Sequence, residues 1–419
     1  MRDPIYKSRP IEPNFAALGG ERINEFIVMS EGFSNVYLIE TLEGSIQINS
    51  GMGMEAPIHR RNLESFSDQK NRYMILTQGH VDHIGGVAYF RERHPEMKVV
   101  AQAGNLEHQD YDSRLPGFKG SRMGFAFADK FKDAAQYIQE KNIDDIPPQD
   151  VPAPDILFEE NYKFTLGGLK VELIAIPGAE TNDSLVVWLP QHKICFTGNL
   201  FGCPFGHFPN LVTIRGDRYR DALICAEAVE KVRALGAEMI CYGHHEPVIG
   251  AKLIEGELIA LRDAIHYVHA ETVKGMNAGK DVHTLMSEIQ LPAEMEVGQG
   301  YGNLPWSIRA IWENYAGWFH HVSTTELYAV PKKVINGDLI ELAGGSDALV
   351  DRAKQKLQDG KREEAIHLLD IVLSQQPDHV VALSVMILVH KELLEETGNF
   401  WLSAWLSNQV EIFSERMIG

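Results

Sequence analysis

The stretch that decides the fold reads Thr77-Gln78-Gly79-His80-Val81-Asp82-His83-Ile84-Gly85-Gly86. It follows an apolar run, residues 73–76, which is typical of a short buried strand. Glycines in the stretch let the backbone turn tightly before a helix begins. Two imidazoles and a carboxylate lie close together on this turn. Because such a cluster is costly to bury without a positive partner, the stretch predicts a metal site; the alternative is a polar turn with one hydrogen-bonded histidine.

This stretch resembles the His-x-His-x-Asp-His signature of the metallo-β-lactamase fold, with Gln78 in the place of the first histidine. The resemblance implies an α+β protein whose residues 1–250 form an αββα metallo-β-lactamase sandwich and the catalytic domain. Short strands predicted at 26–30, 35–40 and 45–49 fit that order. In this fold the loops that carry metal ligands meet at one edge of the sheets.

Later loops supply the other candidate ligands that the resemblance implies. Glu180 stands where the fold usually has a third histidine, and Asn199 stands where it usually has a bridging acid. Gly243-His244-His245-Glu246-Pro247 resembles the closing Gly-His-Gly-x-Pro, which makes His244 the last ligand. His245 is expected behind that ligand or facing the substrate, and we predict a catalytic role for it.

Further segments resemble those of the alkylsulfatases, which place Glu at the position of Glu180. They are Asn210-Leu211-Val212-Thr213-Ile214-Arg215-Gly216, Arg220-Asp221, Tyr301-Gly302 and Tyr315-Ala316-Gly317-Trp318. Alkylsulfatases bind two zinc ions, bridged by a hydroxide, and cleave sulfate esters. Their usual C-terminal sterol-carrier-like domain is not expected here, because the sequence stops at Gly419.

Carried over residue by residue, the resemblance implies two metal positions. Their ligands would be Gln78, His80 and Glu180 for one ion, and Asp82, His83 and His244 for the other, with Asn199 between them. Asp82 would also orient the attacking water or take its proton. Arg215 would bind the anionic head of the substrate, or else form a buried structural ion pair.

Three departures from the family pattern bear on this prediction. Gln78 and Asn199 offer fewer donors and less negative charge than the usual residues, so metal binding should weaken, most at the first position. Trp306 stands where a substrate-facing histidine is expected, which removes a candidate proton donor. We expect one or two divalent ions, with zinc leading and manganese or iron as alternatives, because Glu180 adds a hard oxygen donor.

The second half of the chain, residues 251–419, is predicted to be an all-helical dimerisation domain. Residues 346–379 resemble one tetratricopeptide-like helix pair. One such pair cannot bury its own apolar face, so we expect packing on the rest of the chain or a homodimer.

Residues 105–150 interrupt the alternation of strands and helices. Glycines and aromatic residues, among them Gly117, Gly120, Phe127 and Phe131, suit a flexible lid over an apolar substrate. A covering loop with a small core of its own is the alternative. Either interpretation predicts irregular structure here.

Charge, hydropathy and cysteine content argue against several kinds of partner and location. A net charge of -19 argues against nucleic acid and against anionic membrane surfaces as partners. No apolar stretch is long enough to span a bilayer, and the start lacks the apolar core of a signal peptide. The four cysteines show no Cys-x-x-Cys pairing, so we expect reduced thiols in a cytoplasmic protein.

The leading hypothesis is a metal-dependent hydrolase of the alkylsulfatase-like branch. It would cleave a sulfate ester, or a related ester or lactone, of a small anionic or apolar-tailed molecule by metal-activated water. An iron-dependent oxygenase on the same fold is one alternative, prompted by Glu180. A non-catalytic binding module is another, prompted by the two lost donors and the repeat-like helices.

Overall fold

The computed structural model describes residues 3–418. Its strands form a seven-stranded and a six-stranded sheet. In chain order they are β1 Glu21–Arg22, β2 Ile27–Ser30, β3 Val36–Thr41, β4 Gly44–Ile48, β5 Asn71–Ile75, β6 Lys98–Gln102, β7 Ile156–Phe158, β8 Asn161–Leu166, β9 Leu169–Ala175, β10 Leu185–Leu189, β11 Ile194–Gly198, β12 Met239–Tyr242 and β13 Val248–Ile249.

The α-helices are interspersed with the strands up to β13, and the described residues after β13 form helices and no further strand. They are α1 Ala56–Glu64, α2 Val81–Ile84, α3 Val87–Arg93, α4 Asn105–Ser113, α5 Pro116–Glu140, α6 Ala222–Ala234, α7 Ala251–Asn277, α8 Val282–Glu288, α9 Leu304–Ala316, α10 Asn336–Leu342, α11 Ser346–Gln358, α12 Arg362–Gln375, α13 Val380–Glu396 and α14 Phe400–Ile418. Among the helices of residues 3–418, none is long and apolar enough to cross a bilayer.

The order of strands brings the predicted site loops to one edge. The first sheet runs β1 to β7 in sequence order, and the second runs from β13 back to β8. Strands β4, β5 and β6 are parallel neighbours, as are β11 and β12. Parallel neighbours end at the same edge of a sheet. The loop after β5 therefore lies at the carboxyl edge of the first sheet, and the loops after β11 and β12 lie at the carboxyl edge of the second.

Alternation along each strand produces the layers. In β5, Ile75 packs in the core shared by both sheets, and Met74 packs against helix α3 on the other face. In β10, Val187 belongs to the shared core, and Val186 packs in a cluster with α6 and α7. Neighbouring strand residues point to opposite faces, so each sheet is covered on one face by the other sheet and on the other by helices. The predicted αββα sandwich is confirmed.

The compact units divide elsewhere than at the predicted boundary of residue 250. One unit holds the chain up to Met123 together with Phe127–Tyr315, and the other holds Gly124–Ala126 and the chain from Ala316 onward. Helices α7 and α9 belong to the first unit because Leu261 and Ile308 share an apolar cluster with Val229 of α6. The sandwich therefore keeps more helical cover than a division after β13 would leave it.

The second unit contains the predicted helix pair. Ala353 of α11 and Ala365 of α12 are fully buried, and their cluster extends to Leu383 of α13. Between the two helices Gly360 has a φ of +75°, a conformation that residues with a Cβ rarely adopt. The small alanines let the helices approach closely, which is how a tetratricopeptide-like pair packs.

The prediction of irregular structure over residues 105–150 is wrong for most of the segment. Residues 116–140 form the long helix α5. Met123, Phe127 and Phe131 recur at a spacing of four, which places them on one helix face. That apolar stripe outweighs the helix-weakening effect of Gly117 and Gly120.

Candidate metal centre

Backbone hydrogen bonds tie the site loops together at the sheet edge. Leu185, at the start of β10, donates its N–H to the Thr77 carbonyl at 2.9 Å, which joins the two sheets. The Gly243 N–H donates to the Gly198 carbonyl at 3.0 Å, which joins the ends of β11 and β12. A Cβ on Gly243 would lie 2.0 Å from Asn199 Oδ1, so any side chain larger than glycine would have to displace Asn199.

Asp82, His83 and His244, here called the ligand triad, lie together at this edge. Each offers one ligand atom, and these atoms all lie within 4.8 Å of one another. His83 Nε2 is 3.4 Å from Asp82 Oδ2, and the two imidazole rings are nearly perpendicular, with centroids 6.2 Å apart. Two imidazoles and a carboxylate around one point form a donor set suited to a divalent transition metal.

Hydrogen bonding leaves one ring nitrogen of each histidine in the ligand triad available. Ser34 Oγ holds His83 Nδ1 at 3.0 Å, and, although burial lowers the pKa of the His244 ring, the Phe33 backbone raises it. Within the described part of the chain, His83 Nε2 and His244 Nδ1 are buried and have no hydrogen-bond partner. A buried polar atom left in that state is costly unless a ligand satisfies it.

Electrostatics favour the same conclusion. Burial lowers the pKa of His83 and of His244 to about 3, so both rings stay neutral and keep a lone pair for a cation. Burial also raises the pKa of Asp82, because its charge is poorly solvated, and His244 opposes that rise. A bound cation would compensate the carboxylate, so the residues of the ligand triad fit a metal ion.

Gln78, His80 and Glu180, here called the bonded triad, lie at the same edge, and most of their polar atoms already have partners; among the described residues, the buried His80 Nε2 has no hydrogen-bond partner. Gln78 Nε2 lies 2.7 Å from His80 Nδ1, and Gln78 Oε1 accepts the Asn199 N–H at 3.0 Å. Glu180 Oε1 is 3.0 Å from Arg220 Nη2 and 3.9 Å from His80 Nδ1. The structure brings these predicted ligands together as a hydrogen-bonded cluster.

Asn199 lies between the two triads. Its backbone bonds Gln78, while its side-chain oxygen is buried without a hydrogen-bond partner among the described residues. A neutral amide oxygen is a weak ligand for a metal ion. That Gln78 and Asn199 act as metal ligands stays a prediction.

Asp82 and His244 of the ligand triad and His80 and Glu180 of the bonded triad line a cavity of roughly 750 Å³, part of it open to solvent. Its wall combines the polar groups of the site with apolar side chains from α5 and the N-terminal segment. The lining residues are Pro13, Phe33, Met52, His80, Val81, Asp82, Met123, Phe127, Phe131, Glu180, Asn199, Gly202, Cys203, Asn210, Thr213, Arg215, Arg220, His244 and Tyr301. Such a cavity suits a molecule with a polar and an apolar end.

Arg215 lines the cavity near the ligand triad, and both its predicted anion-binding role and the alternative of a structural ion pair stay open. Its Nη2 atom lies 3.9 Å from Asp217 Oδ2, which is itself 3.9 Å from His80 Nε2. Burial alone would lower the pKa of Arg215, but Tyr301 and Asp217 raise it, so the guanidinium stays charged. The motif analysis did not assign site roles to Ser34, Asp217, Arg220 or Tyr301, although the segments around Arg220 and Tyr301 carried the family resemblance.

Among the described residues named from the sequence, the predicted ligands Gln78 and His83 do not line the cavity, and neither do His245 and Trp306. His245 is buried, and its Nδ1 lies 3.7 Å from Glu31 Oε1. Trp306 lies in the first turn of α9. The predicted catalytic role of His245 is therefore left without a contact to the cavity and stays a prediction.

The four cysteines are free and buried, as expected of reduced thiols. Cys203 lines the cavity, but burial holds the pKa of its thiol well above the usual range. Because the thiolate is the form that ligates and attacks, this environment disfavours Cys203 as a metal ligand or nucleophile.

Comparison with known families agrees with this geometry. The model of the family described as the metallo-beta-lactamase superfamily matches residues 29–244. A second model, described as alkyl sulfatase dimerisation, matches residues 282–412. The first match includes all the residues of both triads.

Individual relatives agree with these two family matches. The chain is 26% identical over 392 residues to a linear primary-alkylsulfatase from a Pseudomonas strain, which covers 90% of this chain and 73% of that protein. It is 23% identical over 362 residues to the alkyl/aryl-sulfatase BDS1 of Saccharomyces cerevisiae, covering 81% of this chain and 55% of the yeast protein. The chain thus spans about half to three quarters of these relatives.

Among solved structures, a stereoselective inverting sec-alkylsulfatase from Pseudomonas sp. superposes with a TM-score of 0.80 at 21% identity. The superposition covers 94% of this chain and 66% of that protein. At this identity the likeness shows a shared fold.

Proposed function

The chain belongs to the metallo-beta-lactamase superfamily, and from that premise we propose that it is a metal-dependent hydrolase of the alkylsulfatase-like branch. The observation that carries the proposal is the ligand triad, where two buried imidazole nitrogens without hydrogen-bond partners stand beside a carboxylate. A bound divalent ion there would lower the pKa of its water toward neutrality and polarise an ester.

Other residues of the cavity bind the substrate and orient the attacking water. Arg215 binds the anionic end of the substrate, because a guanidinium matches the oxygens of a sulfate or carboxylate group. Phe33, Phe127 and Phe131 hold an apolar portion and keep bulk water from the site. Asp82 orients the attacking water through its carboxylate oxygens.

We assign supporting roles to the remaining predicted residues. Gln78 positions the His80 ring through its amide, and Asn199 offers at most one neutral oxygen. His245 holds the loop after β12, because its carbonyl accepts a hydrogen bond from Asn35 Nδ2 at 2.6 Å, and this bond offsets the cost of its φ of +60°.

The substrate class that fits this wall is an ester of a small anionic acid with an apolar alcohol portion. Sulfate esters lead, supported by the partly buried Arg215 in the cavity wall and by the names of the curated relatives. With Trp306 at the place of the expected histidine and outside the cavity, leaving groups that need no proton should react fastest, such as phenolates or enolates.

Metal analysis and a substrate panel test this proposal. Protein purified without chelator should contain a transition metal, and His244→Ala should lose it together with hydrolysis. Alkyl sulfates, aryl sulfates, carboxylic esters and lactones are then compared for turnover. A wild-type chain free of metal after growth in metal-supplemented medium contradicts the proposal, and background turnover of every sulfate removes that substrate class.

An iron-dependent oxygenase is the second candidate, because the ligand triad consists of two histidines and one carboxylate. That donor set, with open positions, is the one used by non-haem iron oxygenases. Iron content together with oxygen consumption in the presence of substrate distinguishes the two. A non-catalytic module would leave the two buried ring nitrogens of the ligand triad unsatisfied, which argues against it.

We also propose that the chain forms a homodimer, since residues 282–412 match the alkyl sulfatase dimerisation family. Light scattering coupled to gel filtration should give twice the mass of 47.0 kDa. A mass of a single chain at micromolar concentration would contradict this assignment. A cytoplasmic location stays a prediction.

A further inference from the structure

We propose that this chain binds one metal ion at the ligand triad, and that the bonded triad is a metal-free cluster held by its own hydrogen bonds and by Arg220. The inference rests on the proposed function, because it takes the ligand triad as a metal site. It differs from the two-ion arrangement that residue-by-residue comparison implies.

The first argument is the orientation of the Gln78 amide. Its oxygen accepts the Asn199 N–H at 3.0 Å. If the amide were turned over, its NH₂ group would face that N–H, and two donors would oppose each other. The oxygen is therefore the atom next to Asn199, and the NH₂ group is the atom next to His80.

This orientation determines the protonation of His80. The Gln78 NH₂ group can only donate, so His80 Nδ1, 2.7 Å away, must accept with its lone pair. A neutral imidazole with an accepting Nδ1 carries its proton on Nε2. That proton lies toward the Asp217 carboxylate, whose Oδ2 is 3.9 Å from Nε2. Neither nitrogen of His80 then has a lone pair to give to a cation.

Charge gives the second argument. Glu180 supplies the negative charge of the bonded triad, and Arg220 Nη2 already lies 3.0 Å from Glu180 Oε1. Arg220 is buried, and its guanidinium also donates to the carbonyls of Asn210 and Glu180. A dication near Glu180 would meet this guanidinium at close range, and no spare negative charge from Gln78 or His80 offsets the repulsion.

The contrast with the ligand triad is direct. There, one carboxylate and two neutral rings leave two buried nitrogens unsatisfied, whereas in the bonded triad only His80 Nε2 is left so, and the Gln78 amide requires that this nitrogen carry the ring proton. Among the described histidines, cysteines and acids, the ligand triad is also the group whose donor atoms converge within 4.8 Å; His80 and Glu180 join no such group. The geometry thus provides one place for a cation and one place that a positive side chain and an amide have filled.

Metal stoichiometry tests the inference without measuring activity. The full-length apo protein is titrated with Zn²⁺ by calorimetry, and the bound metal is counted by native mass spectrometry after desalting. We expect one equivalent per wild-type chain, one for His80→Ala and none for His244→Ala. With Mn²⁺ as the probe, the paramagnetic resonance spectrum of the wild-type chain should be that of an isolated ion.

The outcomes separate this inference from the proposed function. Two tight equivalents per wild-type chain, or a spin-coupled Mn²⁺ pair, overturn the inference and leave the proposed hydrolase in place. A folded His80→Ala variant that loses its equivalent also overturns it, because His80 would then be a ligand. If His80→Ala fails to fold, the wild-type stoichiometry and the Mn²⁺ spectrum decide. Zero equivalents contradict the proposed function and this inference together.

Discussion

The ligand triad and the bonded triad lie at the same sheet edge and each contribute residues to the wall of one cavity, yet they differ in spare hydrogen-bonding capacity. His83 and His244 each keep one buried nitrogen without a partner, whereas the polar atoms of Gln78 already bond His80 and Asn199. Position in the fold therefore does not make a metal site by itself. What matters is whether the donors are free and whether their charge is already compensated.

The largest effect is expected when one residue of the ligand triad is replaced, which tests whether this triad is the metal site. His244→Ala should abolish metal binding and lower kcat/KM by roughly a thousandfold, since bound metal contributes several kcal/mol to the transition state. Metal content and hydrolysis are measured on the same preparation. His283→Ala, at an exposed position of α8, is the matched control and should change neither. Unchanged metal content in His244→Ala would mean that the ligand triad is not the site.

The next effect concerns the charge inside the bonded triad. Arg220→Leu should lower the free energy of unfolding by about 3 kcal/mol, because buried Glu180 loses its partner. Urea denaturation measures the change. Arg218→Leu is the control, since Arg218 pairs with Glu107 where both side chains are nearly half exposed, and surface pairs contribute about 0–1 kcal/mol. Equal losses in the two variants would show that Arg220 is not the compensating charge.

Ring orientation in the ligand triad gives a smaller effect. Ser34→Ala removes the hydroxyl that holds His83 Nδ1 at 3.0 Å and should weaken metal affinity by about 10–100-fold. Competition with a chromophoric chelator measures the dissociation constant. Ser45→Ala removes another buried hydroxyl, bonded to Asn71 instead, and should leave the affinity unchanged. An affinity equal to wild type in Ser34→Ala would exclude Ser34 as the group that orients His83.

The smallest expected effect concerns the close approach that joins the loops of the two triads. Gly243→Ala should lower the free energy of unfolding by about 1 kcal/mol, since its Cβ would push Asn199 Oδ1 aside from 2.0 Å. Thermal denaturation measures the change. Gly120→Ala in α5 is the control: its Cβ meets nothing within 4 Å, so better helix propensity should raise stability by about 0.5–1 kcal/mol. A Gly243→Ala variant as stable as wild type would show that Asn199 can move freely.

Much of the fold could be predicted because its signals are local. The apolar run at residues 73–76 and the motif that follows it are contiguous in sequence, and they led to the confirmed sandwich. Helix α5 was missed because glycines were given more weight than the apolar spacing of Met123, Phe127 and Phe131. The predicted boundary at residue 250 stays a prediction, although the compact units place α7 and α9 with the sandwich because both helices pack in the apolar cluster that covers the second sheet.

By itself the sequence determined which donor types stand at each loop, since an imidazole, amide or carboxylate is a property of the residue. It also determined the alternation that sends Met74 and Ile75 to opposite faces. Only the tertiary structure decided which donors remain available. Ser34 lies 49 residues from His83, and Arg220 lies 40 residues from Glu180, and hydrogen bonds between such distant residues arise only when the chain folds.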